Sequence, residues 1–204
     1  CIRDRVYMDA AMEMLRGQHP KKEILPGGIL YYHIDDPVLE SDTPLSEEEA
    51  EQALLFALRP DGLVNSGEEI YRAMDQNFEG KSQMIPVEIK KNGEISTARS
   101  KVASTEEFAV ITRYVEHEIR QCGEAIYAGN IAVNPYRSDI ETSCTYCPYA
   151  SVCGMDAKIP GYEYRQFASM KKEEVLDQMQ TELARNRGKE ERSDEMDEGT
   201  AERH

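Results

Sequence analysis

The chain has 204 residues, 40% of them hydrophobic and 31% charged, with a formal net charge of −15. That length admits one domain or two small ones, and the acidic balance excludes attachment to DNA or an anionic membrane through the overall field. No apolar run approaches the roughly 18–20 residues of a membrane span and no signal peptide is visible, so the sequence reads as cytoplasmic.

The chain starts at Cys1, and Ile2-Arg3-Asp4-Arg5 leads into a helical pattern without a cap. That start reads as a fragment whose upstream part is missing. Val6, Ala10, Met14 and Tyr7, Ala11 then recur at helical spacing to about Arg16, and His19-Pro20 ends the helix. Gly27 to Ile34 is apolar and aromatic and closes on Asp35-Asp36-Pro37, which predicts a buried, central strand. A helix followed by such a strand points to an α/β core.

Ser46-Glu47-Glu48-Glu49 is a capping box opening a helix whose apolar face is Ala50, Ala53, Leu54, Ala57 and Leu58. Pro60-Asp61-Gly62 stops it, and a short helix follows from about Glu68 to Gln76. Ile85 to Ser96 reads as a β-hairpin around Asn92-Gly93. Ser104-Thr105-Glu106-Glu107 caps the longest expected helix, ending near Gly129-Asn130. Periodicity fails over Ile131–Gly161, returns in an amphipathic helix from about Ser169 to Ala184, and is lost again beyond Arg185. Residues 1–185 are therefore expected to fold, with a cysteine-rich loop at 141–161, and residues 186–204 to form a disordered charged tail.

Three of the five cysteines stand in the pattern Cys-x2-Cys-x5-Cys: Cys144, Cys147 and Cys153, with Pro148 after the second. A two-residue gap lets two thiolates face one centre while the intervening amides turn toward the sulfurs. Thiolates suit zinc and iron–sulfur clusters. Three ligands leave either centre one short. Cys122 lies on the stripe Phe108, Ile111, Val115, Ile119, Cys122, Ile126, where core packing is favoured over ligation. Cys1 is the other candidate. A fourth ligand in an absent upstream region is the simpler account.

Three runs carry a family resemblance: Pro26 to Pro37, Gly129 to Tyr136, and Cys144 to Cys153 continued by Lys158-Ile159-Pro160-Gly161-Tyr162. They resemble the AddB subunits of bacterial AddAB helicase–nucleases, over approximately Val6 to Leu183. The resemblance implies an α/β, partial PD-(D/E)XK nuclease domain of the RecB-like type. It further implies a Mg2+-dependent 5′–3′ deoxyribonuclease that processes double-strand DNA ends for recombinational repair, with an AddA-like helicase–nuclease partner. Double-stranded ends and single-stranded DNA would be the substrates. A structural 4Fe–4S cluster would be held by Cys144, Cys147 and Cys153 plus one upstream cysteine that has no counterpart here. The metal-binding strands of such a domain would precede residue 1, so the chain alone is expected to be inactive. Tyr7 matches the tyrosine of a Gln-x-x-x-Tyr helix, but Arg3 stands where its glutamine belongs.

Several residues have a bland reading that outweighs the functional one. Glu88-Ile89-Lys90 has the Glu-x-Lys form of a nuclease strand, with Asp75 as the available second carboxylate, yet its charges alternate toward solvent. His33 reads as a satisfied strand-end histidine and Asp35-Asp36-Pro37 as a turn. Lys81, Lys90, Lys91, Arg99 and Lys101 form a local positive patch that could meet DNA phosphates, though a solvated hairpin is favoured. The competing class is a non-enzymatic binding module in which Cys122, Cys144, Cys147 and Cys153 hold zinc.

Overall fold

The computed structural model describes residues 2–34, 36–76, 78–139 and 141–201; the side chains of residues 2–3 and 188–201 are outside it. Cys1 and Asp35 therefore lie outside the described residues, and with them the expectations placed on those two positions. The chain divides into two compact units, Cys1–Val115 and Glu116–His204.

The first unit is α/β. It contains α1 (Ile2–Gln18), β1 (Gly28–Tyr31), α2 (Glu47–Ala57), β2 (Asp61–Asn65), α3 (Glu68–Met74), β3 (Val102–Ala103) and the start of α4 (Thr105–Tyr127). The strands form one sheet in the order β1-β2-β3, with β1 and β2 antiparallel and β2 and β3 parallel. β1 is thus an edge strand rather than a central one: Leu30 and Tyr31 are exposed, as are Tyr32 and His33 beyond it. Its apolar composition imitated burial on both faces, but an edge strand needs only one covered face.

Core residues come mainly from the centre of the unit. Val64, Tyr71, Phe78, Ile85, Val87, Ile89 and Val102 form one buried cluster, with Ile95 packed against it. The expected hairpin supplies four of these residues. It pairs only through isolated bridges, Ile89 with Ile95 and Lys81 with Glu88, so Ile85, Val87 and Ile89 face inward without a continuous ladder. β2 begins where Pro60-Asp61-Gly62 suggested only a stop. Gly62 makes this possible: at φ 146° it lets the two backbones approach so closely that a Cβ would sit 2.0 Å from the Ile29 carbonyl oxygen.

Caps follow the sequence. Ser46 and Glu49 exchange hydrogen bonds across the first turn of α2, and Ser104 does the same with Glu107 at α4; each satisfies amides a helix start leaves open. The faces follow it less well. On α1 the buried side is Arg5, with Met8, Asp9 and Met12 half-buried, while Val6, Tyr7, Ala10, Ala11 and Met14 are exposed. The cause is the Arg5 guanidinium, which donates to the Phe108 carbonyl oxygen at 2.9 Å and to the Thr112 hydroxyl, and pairs with Asp9 at 3.5 Å.

The second unit contains the rest of α4, β4 (Tyr136–Ser138), the one-turn α5 (Ala150–Cys153), β5 (Arg165–Phe167) and α6 (Lys172–Ala201). β4 and β5 pair in parallel, Tyr136 opposite Arg165 and Ser138 opposite Phe167. Val175, Leu176, Met179 and Leu183 face inward on α6, as their spacing predicts, and Asn186 meets His117 of α4 at 2.8 Å. α6 continues past Arg185, where the apolar spacing ends.

Candidate functional site

The cysteine loop is built from its base upward. β4 and β5 bracket it, and the Tyr136 and Phe167 rings meet edge-on with centroids 5.6 Å apart. Arg165 adds a backbone bond to Pro135 at 2.9 Å and a guanidinium bond to the Asn134 carbonyl at 3.2 Å. A segment entering at Ser138 and leaving at Arg165 is thereby closed at both ends.

Within it, Cys144 to Cys153 is a succession of tight turns. The Cys147 amide bonds the Cys144 carbonyl at 3.3 Å, the Ala150 amide the Cys147 carbonyl at 3.4 Å, and the Cys153 amide the Tyr149 carbonyl at 2.8 Å. Gly154, left-handed at φ 64°, ends α5. The three thiols are reduced and half-buried. Tyr164, which sequence reasoning missed, stands close to Cys144, and its interaction with that thiol raises the ionisation of the phenol above the usual tyrosine range, against the lowering influence of Arg137. The Arg137 guanidinium carbon lies 4.3 Å from the centre of the Tyr164 ring. Nothing in the local sequence marks Tyr164, because its partner is twenty residues earlier and the two meet only when β5 returns to β4.

Cys122 departs from expectation. It is exposed on α4 instead of packed in a core, as are Ile119 and Ile126 on the same stripe. A helical stripe buries its side chains only where another element covers it, and among the described residues of this unit that turn of α4 is left exposed. Among the described residues no three His, Cys, Asp or Glu side chains are gathered closely enough to hold a metal ion.

In the first unit the nuclease-like residues do not converge. Glu88 is bonded to Arg99 at 2.7 Å, and Asp75 accepts from the buried Ser82 hydroxyl at 2.7 Å. Each carboxylate is thus committed to a partner of its own. The cations of the expected patch are also engaged: Arg99 with Glu88, Lys101 with Asp61 at 2.6 Å, and Lys90 with Glu94 at 4.0 Å. The Lys101 hydrogen bond holds the Asp61 carboxyl below its ordinary range. Lys91 is exposed, and Lys81 sits over the Phe56 ring instead of over a carboxylate. Tyr7 is exposed on α1, and His33 is exposed after β1.

Comparison with known proteins gives a consistent picture. Residues 5–154 match the PD-(D/E)XK nuclease superfamily. The chain is 36% identical over 178 residues to the B subunit of an ATP-dependent helicase/deoxyribonuclease of Thermoanaerobacter sp. (strain X514), and that alignment covers 87% of the chain. It is 38% identical over 179 residues to the protein of that name from Lachnoclostridium phytofermentans, covering 83% of the chain, and 36% identical over 178 residues to that from Clostridium botulinum (strain Hall). The chain spans about 15% of the length of these curated relatives. Among the described residues no helix is long and apolar enough to cross a membrane.

Proposed function

The chain belongs to the PD-(D/E)XK nuclease superfamily, and from that premise we propose that it forms part of the nuclease domain in the B subunit of an ATP-dependent helicase/deoxyribonuclease. In this reading the whole protein works in the cytoplasm with an AddA-like partner. It prepares double-strand DNA ends for recombinational repair by Mg2+-dependent 5′–3′ hydrolysis, and engages single-stranded DNA as it does so. The observation that carries the reading is the loop of three reduced thiols, closed by its own two-stranded sheet, in a chain 36–38% identical to proteins of that name.

Cys144, Cys147 and Cys153 are the residues that would hold a 4Fe–4S cluster. Their soft thiolate chemistry fits such a group, and a polynuclear cluster spreads its ligands over separate iron atoms, so the sulfurs need not converge on one point. When bound, the group supplies a cross-link rather than electron transfer. A fourth ligand from elsewhere in a longer polypeptide accords with a chain that spans 15% of its relatives. The exposed position of Cys122, apart from the three, disfavours a four-cysteine zinc site. Anaerobic reconstitution with ferrous iron, sulfide and dithiothreitol, the reagent thiol standing in for the fourth ligand, is the test. A brown protein retaining iron and sulfide after desalting is expected. A colourless protein that retains neither, or that takes zinc in preference, would overturn the assignment.

Mg2+ does not fit the described carboxylates in the same way. Hard cations ask for several oxygen ligands together, whereas Glu88 and Asp75 are each bonded to another partner. The chain by itself is therefore expected to leave DNA uncut in Mg2+, and Glu88→Ala to change nothing. Mg2+-dependent cleavage by the purified chain that disappears in Glu88→Ala would show that Glu88-Ile89-Lys90 is a catalytic strand after all.

A further inference from the structure

Phe56 ends the last turn of α2 with its ring partly exposed, at 39%. Two cations lie over that ring: the Lys81 ammonium 4.0 Å from its centroid and the Arg59 guanidinium carbon 4.8 Å from it. The end of a helix favours one cation, but holding a second beside it works against charge repulsion, and the ring offsets this only in part.

The neighbouring cations make the contrast. Lys90, Arg99 and Lys101 each reach a carboxylate. Among the described residues neither Arg59 nor Lys81 has one within ion-pair distance. Asp61 feels Arg59 electrostatically but accepts its hydrogen bond from Lys101.

Both cations are also held in place. Arg59 donates to the Ser82 carbonyl at 2.9 Å, next in the chain to Lys81. Ser82 is fully buried, and its hydroxyl is fixed by Asp75 and by the amides of Met84 and Ile85. Lys81 is tied across to Glu88 by a backbone bridge. Two positioned cations beside a partly open aromatic ring match the repeating unit of a single nucleic-acid strand, a phosphate next to a base.

We propose that Arg59 and Lys81, held on the ring of Phe56, bind the backbone phosphate of a single DNA strand. The proposal rests on the DNA-processing reading above; Lys81 belongs to the positive patch seen in the sequence, whereas Arg59 and Phe56 lie outside it. Inorganic phosphate shares the chemistry but would make no use of the ring.

The test is fluorescence anisotropy of a labelled oligothymidylate with the 204-residue chain across a potassium chloride series. Arg59→Gln/Lys81→Gln is expected to lower the slope of log affinity against log salt by about 0.7, for the one phosphate that the two cations hold, and to weaken low-salt binding roughly tenfold. Arg59→Lys, which keeps the charge, should retain the slope, and Phe56→Leu should weaken binding with the chain still folded. The charge-matched Lys21→Ala/Lys22→Ala pair should have the smaller effect. If the wild-type chain binds the oligonucleotide and Arg59→Gln/Lys81→Gln binds equally well, or if the charge-matched pair weakens it as much, this site is refuted while the DNA reading stands. If inorganic phosphate at equal ionic strength displaces the strand as effectively as unlabelled oligothymidylate, the site is a simple anion site and the DNA assignment is wrong. If the wild-type chain binds no DNA at all, both readings fall.

Discussion

Replacing Arg5 with methionine is expected to cost the N-terminal unit about 3 kcal/mol, the low end for stripping the cation from a buried pair, and to lower its melting midpoint by about 12 °C. Arg5 is 2% exposed. One guanidinium serves the Phe108 carbonyl, the Thr112 hydroxyl and the Asp9 carboxylate, and lies 5.2 Å from the centre of the Phe108 ring. Methionine fills most of the volume but satisfies none of these groups, and it leaves the Asp9 carboxylate, whose side chain is only 24% exposed, without a cation and with only the Thr112 hydroxyl at 3.2 Å. The low end of the range applies because water still reaches that carboxylate. Lysine should recover little, since a point charge cannot serve three acceptors in a fork. Adding Asp9→Asn to Arg5→Met should restore about 1 kcal/mol by removing the stranded charge. Urea and thermal unfolding followed by circular dichroism would measure all four proteins. A loss below about 1 kcal/mol for Arg5→Met would mean that this network does not hold α1 to the start of α4.

Arg5 also shows where sequence reading stops. Features written within a few residues were recoverable: the Ser46–Glu49 and Ser104–Glu107 boxes, the inward alternation of Ile85, Val87 and Ile89, and the stripe on α6. α1 was placed correctly as a helix but on the wrong face, because apolar spacing gives no weight to an arginine and an aspartate that bury each other. β1 was found and misplaced, since an apolar run does not say whether a sheet continues beyond it. β2 and β3 went unseen. β2 begins at a Pro-Asp-Gly signal that ordinarily ends structure, and the two residues of β3 acquire meaning only opposite Val64 and Asn65. β4 and β5 are three residues each and parallel, so no short-range turn announces them. In the candidate site the division is the same. The spacing of Cys144, Cys147 and Cys153 is local and points to soft-metal chemistry, whereas Tyr164 and Arg137 join it only through that long-range pairing.

The second large effect should come from a single sulfur. Cys147→Ser is expected to remove nearly all iron and sulfide from the reconstituted chain, and Cys122→Ser to remove none. Cys147 is the middle of the three proposed ligands: its amide bonds back to Cys144 and its carbonyl takes the Ala150 amide that leads into α5 and Cys153. Removing it leaves Cys144 and Cys153 at opposite ends of the turn system, and a serine hydroxyl is a hard, poorly ionised substitute for thiolate. Losing the cluster should loosen the loop without unfolding the helices of the second unit. The β4–β5 base is only three residues long, and the turns above it are largely exposed. Such backbone opens easily unless cross-linked. Amide hydrogen exchange resolves the two roles. The Cys147 and Cys153 amides should be protected in the reconstituted wild type and in Cys122→Ser, and should exchange quickly in Cys147→Ser, while Leu176 in α6 keeps its protection in all three. Full iron retention by Cys147→Ser would remove this cysteine from the ligand set. Equal loop exchange with and without iron would mean that the loop is closed by its sheet alone, and that the cluster is no staple.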